Sequence, residues 1–155
     1  DETANGKYPI ETVKAMRNTI LYTQEHSNVM AVEKDEARRK TDAILSYTAA
    51  QLAKEINARA IIAATSTGAT AVHIGAFRPN MPIICVTDNP KTAQKLALNY
   101  ASRPYVRPNS VNAANQLADE LKANGYFGDD PATVVLVSGH GLEPGQTDNI
   151  QVRTL

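Results

Sequence analysis

The fold of this chain is decided by residues 60–70, which read Ala-Ile-Ile-Ala-Ala-Thr-Ser-Thr-Gly-Ala-Thr. The apolar run 60–64 predicts a buried strand, and the residues after position 70 predict a helix that ends before Pro79. A turn of small hydroxyl residues between a strand and a helix can hold a phosphate, because the free N–H groups and the positive dipole end of the helix attract an anion. We call residues 65–70 the hydroxyl loop; its members are Thr65, Ser66, Thr67, Gly68, Ala69 and Thr70.

The hydroxyl loop also has a simpler interpretation, since Ser and Thr cap many helices that bind nothing. However, four hydroxyl groups around one glycine, directly after a buried strand, can each donate a hydrogen bond to phosphate oxygens. The residues alone therefore leave a phosphate site and a plain helix cap as alternatives.

Strand and helix patterns alternate along the rest of the chain. Strands are predicted at 82–87, around 104–106 and at 133–137, with helical patterns between them. Repeated crossovers between apolar strands predict a mostly parallel sheet covered on both faces. The alternating segment 149–154 follows too closely for a helical crossover, so it predicts an antiparallel edge strand. The predicted fold is α/β, in three α/β/α layers, with a mostly parallel five-stranded sheet and an antiparallel last edge strand.

Helix boundaries are predicted from capping residues. Pro9 suits the first turn of a helix that runs to about residue 30, and Thr41 with Asp42 predicts the start of another. Asn89 and the pair Asn109-Ser110 predict later helix starts, the second helix placing Val111 on its apolar face. The mixed charge run 33–40 predicts a solvated face or a linker.

Composition limits the functional classes. The chain has 155 residues, 43% hydrophobic and 21% charged, which is typical of one globular domain. Sixteen basic residues balance sixteen acidic ones, so neither nucleic acid nor a membrane is predicted as a partner. Cys85, the single cysteine, excludes a disulfide framework and is predicted to be buried. With no apolar run of about 20 residues and no signal peptide, we expect a cytoplasmic protein, and the start without Met suggests a piece of a longer one.

A second loop, which we call the terminal loop, covers residues 138–148 and reads Ser-Gly-His-Gly-Leu-Glu-Pro-Gly-Gln-Thr-Asp. Ligands bind outside the carboxyl ends of strands in open α/β sheets, and neighbouring parallel strands would place this loop beside the hydroxyl loop. Its glycines let the backbone approach a ligand, and His140 can donate to an anion. A surface connection that needs glycine for its turns is the alternative.

Catalytic motifs are missing from the sequence. There is no Gly-x-Gly-x-x-Gly after a strand and no Gly-Lys-Ser/Thr, and the three histidines share no metal-ligand spacing. His73 is predicted to pack among apolar residues. The chain is therefore predicted to hold a phosphate without catalytic residues or a metal of its own.

Several of these stretches together resemble the carboxy-terminal domain of pyruvate kinases, over essentially the whole chain. Residues 2–13 resemble the family's Gly-Glu-Thr-Ala-x-Gly-x-Tyr-Pro-x-Glu-Ala-Val segment, which leads into the last helix of the catalytic barrel. The hydroxyl loop and residues 77–87 resemble its phosphate loop and the Tyr-Arg-Pro-x-x-Pro-Ile-x-Ala-Val-Thr that follows. Residues 139–152 resemble the terminal effector loop and last strand, in which Gly145, Thr147 and Asp148 occupy the Gly-x-Thr-Asn pattern.

The resemblance implies a domain organisation and a parent activity. Residues 1–33 would be the end of the catalytic barrel, 34–40 a linker and 41–155 the carboxy-terminal α/β domain. Pyruvate kinases of glycolysis transfer phosphate from phosphoenolpyruvate to ADP with magnesium and usually potassium. Those catalytic and metal-binding residues would lie upstream of Asp1, so this piece would be inactive by itself.

The resemblance also implies that a phosphorylated effector binds between the two loops. A sugar phosphate such as fructose 1,6-bisphosphate is one example. The hydroxyl loop would hold one phosphate, and the second loop would close over the ligand through Gly139, His140, Gly141, Gly145, Gln146 and Thr147. Animal enzymes have Trp where this chain has His140, and an Arg for a second phosphate where it has Ala113. A monophosphate or nucleotide effector is therefore also predicted, with Arg103 and Arg107 as possible substitutes.

The family is usually tetrameric, with these domains meeting near the last strand, so self-association is expected. Two alternatives stay open. One is a stand-alone sugar-phosphate-binding or isomerase-type domain with Glu143 as its base, and the other is a purely structural assembly module.

Overall fold

The computed structural model describes residues 2–26, 41–139 and 147–155. The chain divides into two compact units, residues 1–30 and 31–155. In chain order the elements are α1 (Pro9–His26), α2 (Thr41–Glu55), β1 (Ala60–Ala64), α3 (Ala69–Ala76), β2 (Ile83–Thr87), α4 (Pro90–Leu96), β3 (Ser102–Val106), α5 (Ala113–Ala123), β4 (Thr133–Ser138) and β5 (Asn149–Thr154). The predicted linker 34–40 lies outside the described residues, and the predicted domain boundaries stay a prediction.

The first unit contains α1, which begins at Pro9 as predicted. Its apolar side chains are exposed by 46–66%, and they are Ile10, Val13, Met16, Ile20 and Leu21. Part of this stripe, with Thr3 and Arg17, lines an open apolar depression of about 350 Å³. Among its described residues, the first unit therefore has no apolar core of its own.

The second unit is built on a five-stranded sheet of order β3-β2-β1-β4-β5 in the described residues. The first four strands run parallel, and β5 pairs antiparallel with β4. In the centre, Ile62 lies between Ile84 of β2 and Leu136 of β4. This sheet confirms the predicted fold class, because strands that are apolar on both faces need helices on both sides.

Two apolar layers flank the sheet. On one side α2, α3 and α4 pack against alternate residues of the central strands, the buried members being Ala49, Ala53, Ala71, Ile74 and Leu96 on the helices and Ile61, Ile83 and Val135 on the strands. On the other side α5 packs through Ala114, Leu117, Ala118 and Leu121 against Ile62, Ile84 and Leu136. Each fully buried Ile or Leu contributes about 1.5–3 kcal/mol relative to exposure, so these layers stabilise the edge at which the loops emerge.

The β3 edge of the sheet is interrupted by a proline. Ala101 accepts a hydrogen bond from the N–H of Ile83, and Arg107 donates one to the carbonyl of Thr87, both at 2.9 Å. Alternate residues of β3 therefore bond to β2, and Pro104 between them directs its nitrogen to the open side. Because proline has no N–H, this edge lacks a donor at its middle.

The β5 edge has no such interruption. Ala132 and Leu155 exchange both backbone hydrogen bonds, at 3.1 and 2.9 Å. From this pair, the alternation of an antiparallel ladder directs the N–H groups of Ile150, Val152 and Thr154 to the open side. The β5 edge therefore presents donors to a further strand.

Two details of the sequence interpretation were wrong. The helix predicted after Asn109 and Ser110 begins at Ala113, because Ser110 accepts hydrogen bonds from the N–H groups of the residues two and three positions later and forms a turn of its own. Val111 thus precedes the helix and is 69% exposed. His73 is exposed and not packed, since Ala71 and Ile74 occupy the inward positions of α3.

Candidate functional site

The hydroxyl loop leaves the carboxyl end of β1 and turns into α3 at Gly68. Gly68 has a φ of 91°, in the left-handed region that favours glycine. A Cβ added there would lie 3.3 Å from both Thr92 Cγ2 and Leu96 Cδ2 of α4. The glycine therefore gives the turn its shape and lets α4 pack directly against the loop.

A side chain of α4 also holds the loop. The hydroxyl of Thr92 donates a hydrogen bond of 3.0 Å to the carbonyl of Ser66. Thr92 was not predicted from the sequence, although its position next to Ala93, which lies on the inward side of α4, was a usable signal. The backbone of the loop is thus held by α4, whereas the side chains of Ser66 and Thr67 are exposed.

The start of α3 has donors that the described residues only partly use. Gly68 N–H donates to Thr65 Oγ1 at 2.9 Å, and Ala69 N–H donates to Thr67 Oγ1 at 3.4 Å. Both hydroxyls act here as acceptors, so each retains its own hydrogen for donation. Thr70 and Ala71 are buried, and no described residue accepts from their backbone N–H groups. Buried N–H donors need an acceptor, and an oxyanion at this position would supply one.

The neighbouring helix start is closed. Asn89 Oδ1 accepts from the N–H groups of Lys91 and Thr92, at 2.9 and 3.4 Å, which confirms the predicted cap. Pro90, the first residue of α4, has no N–H to satisfy. The donors at this helix start are therefore largely paired or absent.

The terminal loop begins and ends at the same edge of the sheet. Because β4 lies next to β1, Gly139 follows a strand that neighbours the hydroxyl loop. At the other end of the loop, Thr147 is buried, and its Oγ1 lies 2.8 Å from Thr70 Oγ1. The members at positions 140–146, namely His140, Gly141, Glu143, Gly145 and Gln146, lie outside the described residues.

Asp42 joins this arrangement from the first turn of α2. Its Oδ1 accepts a hydrogen bond of 3.3 Å from the N–H of Thr147, 105 residues away in sequence. From the sequence, Asp42 was predicted only to mark a helix start. An acidic residue at such a position usually serves its own helix, so no local pattern indicated this long-range contact.

The candidate positions for a second phosphate lie elsewhere. Ala113 is buried at the start of α5. Arg107 forms a two-pronged ion pair with Glu120, at 3.0 and 2.5 Å, and this hydrogen bonding lowers the pKa of the Glu120 carboxyl. Arg103 donates to the hydroxyl of Tyr126. Both guanidinium groups are thus engaged on the α5 side of the sheet, whereas α3 packs on the other side.

No reactive centre is apparent in the described part of the chain. Burial raises the pKa of the Cys85 thiol from 9.0 to about 11, so the thiol stays protonated and non-nucleophilic at neutral pH. The described residues contain no group of three or more His, Cys, Asp or Glu side chains placed to hold a metal ion. None of the described helices has the length and apolar character that crossing a membrane requires.

Comparisons with known proteins match this chain to one family. Residues 42–153 match the family described as pyruvate kinase, alpha/beta domain. The chain is 31% identical over its full length to pyruvate kinase 2 of Synechocystis sp., and 34% identical over 99% of its length to the pyruvate kinase of Chlamydia muridarum. It is 35% identical over 68% of its length to the pyruvate kinase of Clostridium acetobutylicum. The chain spans 27%, 33% and 23% of these three relatives, respectively.

Proposed function

We propose a function for this chain, which belongs to the pyruvate kinase family as its carboxy-terminal α/β domain. In this proposal, the hydroxyl loop binds the phosphate of a small-molecule effector. The open start of α3 carries this proposal. Thr70 and Ala71 have buried N–H groups without a described acceptor, and the hydroxyls of Ser66 and Thr67 are exposed beside them. A hydrogen bond to a charged group contributes about 1.5–3 kcal/mol, so a few of them suffice for specific binding.

The effector class that we propose is a sugar monophosphate or a nucleotide. Arg107 is paired with Glu120, and Arg103 donates to Tyr126, so both guanidinium groups are engaged on the α5 side of the sheet and not at the hydroxyl loop. One phosphate in the hydroxyl loop therefore accounts for the described donors. Closure by the terminal loop, from Gly139 to Thr147, is part of the same proposal and depends on residues 140–146.

We propose the parent activity from the relatives alone. The full-length protein would transfer phosphate from phosphoenolpyruvate to ADP in the cytoplasm, with magnesium and potassium held by residues outside this chain. The chain itself would be inactive, and a pyruvate kinase assay of the purified chain tests this directly.

Calorimetry tests effector binding. The purified chain is titrated with inorganic phosphate, glucose 6-phosphate, AMP and fructose 1,6-bisphosphate, with unphosphorylated glucose as the control. We expect phosphate-dependent binding that weakens with added salt, and no binding of glucose. If none of the phosphorylated compounds binds, the purely structural assembly module becomes the favoured function. Aldose–ketose isomerase activity in the purified chain would instead favour the stand-alone isomerase-type domain.

A second proposed role is self-association through β5, for which the open N–H groups of Ile150, Val152 and Thr154 are the supporting observation. We expect light scattering to give at least a dimer. Val152→Pro removes one outward N–H, as Pro104 does at the opposite edge, and should shift the chain toward monomer. Val152→Thr keeps the N–H and serves as the control. A monomeric wild-type chain would contradict this role.

A further inference from the structure

Three side chains link separate elements at the carboxyl edge of the sheet. Asp42 of α2 accepts from the backbone N–H of Thr147, and the hydroxyl of Thr147 lies 2.8 Å from that of Thr70 in the first turn of α3. Thr147 is 3% exposed and Thr70 is 5% exposed. The contact between the two hydroxyls is therefore shielded from water, and such bonds are costly to lose.

The hydroxyl of Thr70 is already engaged by this contact. Its Oγ1 bonds to Thr147 and is almost fully buried, whereas Ser66 and Thr67 are exposed at the same helix start. The exposed hydroxyls are thus placed to meet a ligand, and Thr70 is placed to fix the neighbouring segment. Since Asp42 holds the backbone of Thr147, it also determines where the Thr147 hydroxyl lies.

We infer that Asp42 is a positioning residue for the effector site: it fixes Thr147 against Thr70 and so supports phosphate binding without touching the ligand. This inference rests on the proposed function. Because linkage is reciprocal, phosphate binding must in turn strengthen the bond between Asp42 and Thr147. The start of α2 therefore responds to the occupancy of the hydroxyl loop.

The charge of Asp42 makes the inference testable by the sign of the effect. A carboxylate near a bound phosphate repels it, so removing the charge alone would tighten binding. Removing a positioning hydrogen bond would weaken binding instead. Asp42→Asn keeps a side-chain oxygen acceptor and loses the charge, whereas Asp42→Ala loses both. The matched control is Asp88→Ala, which removes an exposed carboxylate just after β2, at the same edge of the sheet.

The experiment uses two measurements. Calorimetry gives the affinity for glucose 6-phosphate and for inorganic phosphate, and NMR follows the hydrogen exchange of the Thr147 amide. We expect Asp42→Ala to weaken binding about threefold to tenfold, as for the loss of one hydrogen bond. Asp42→Asn should bind within about twofold of the wild type or more tightly, and Asp88→Ala should not weaken binding. The Thr147 amide should exchange faster in Asp42→Ala and near the wild-type rate in Asp42→Asn.

A second variant guards against a general loss of folding. Thr147→Val removes the contact with Thr70 but keeps the backbone N–H, so it should weaken binding while the exchange of that amide stays protected. Phosphate should slow this exchange in the wild type and not in Asp42→Ala.

Binding by Asp42→Ala that equals or exceeds the wild type would overturn the inference, and so would Asp42→Asn as weak as Asp42→Ala. If the wild type binds no phosphate, the proposed function fails. The exchange of the Thr147 amide then decides by itself whether Asp42 holds Thr147, since an unchanged rate in Asp42→Ala excludes it.

Discussion

The starts of α3 and α4 follow neighbouring strands at one edge of the sheet, and they differ in how the backbone N–H groups of the second and third helical residues are satisfied. At α4, Asn89 accepts from two N–H groups, and Pro90 supplies none. At α3, Gly68 occupies the capping position and has no side chain to accept a bond, and the buried N–H groups of Thr70 and Ala71 find no acceptor among the described residues. The two helices follow similar strands, but α4 begins with a closed N-terminus and α3 with an open one.

This difference separates a structural cap from a binding site. A closed terminus stabilises its helix from within the chain, by about 1 kcal/mol. An open terminus forgoes that stabilisation and leaves donors for an external anion. Thr92 connects the two, because it is capped by Asn89 and donates to the carbonyl of Ser66. The closed helix therefore supports the open one.

The largest loss of phosphate affinity is expected when a carboxylate is introduced at the start of α3, compared with the same change at the start of α4. Thr67→Glu puts a negative charge beside the open donors of α3, and a like charge about 4 Å from a phosphate costs about 1–4 kcal/mol. We expect glucose 6-phosphate affinity to fall about fivefold to a thousandfold by calorimetry. Lys91→Glu in the first turn of α4 is the matched change and should have a much smaller effect. Equal losses in both variants would show that the two termini do not differ.

A smaller effect should distinguish binding from stability. Ser66→Ala removes an exposed hydroxyl, so we expect the free energy of phosphate binding to weaken by about 1.5–3 kcal/mol with an unchanged free energy of unfolding. Asn89→Ala removes the cap of α4 and should lower the free energy of unfolding by about 1 kcal/mol without changing the affinity. Calorimetry and urea unfolding of both variants give the four values. Ser66→Ala with unaltered affinity would argue that the hydroxyl loop is only a helix cap.

The smallest effect concerns the turn into α3. Gly68→Ala forces alanine into left-handed backbone, which costs about 1–2 kcal/mol, and brings its Cβ against Thr92 and Leu96. Gly125→Ala imposes a similar strain at a φ of 75°, with no atom within 4 Å of the new Cβ. Urea unfolding should show the larger loss for Gly68→Ala, which should also weaken phosphate binding. If Gly125→Ala is equally costly, the approach of α4 to the loop contributes nothing.

Most of the sheet could be predicted because its strands carry a strong local signal. Residues 60–64 and 133–137 are continuous apolar runs, and 149–154 alternates as an edge strand does. Helix caps were less predictable, since several polar residues compete for one role. Asn89 was identified correctly, but at α5 the turn formed by Ser110 moved the start to Ala113.

The candidate site could be predicted only where it is local. The strand, the small hydroxyl residues and Gly68 are contiguous, so their pattern indicated an anion site from sequence. Asp42 and Thr92 reach the loops through tertiary contacts over 105 and 26 residues, which no periodicity encodes. A short polar residue at a helix start has many uses, and only the packed structure selects one.

Pro104 has a consequence for how copies of this chain can assemble. A sheet that offers unpaired donors on both sides invites open-ended growth, as in a fibre. Here one side is blunted, so a partner that adds a strand through β5 uses up the only uninterrupted edge in the described sheet. Pairing by strand addition would then stop at a dimer, and the N–H group that Pro104 lacks would limit the size of the assembly.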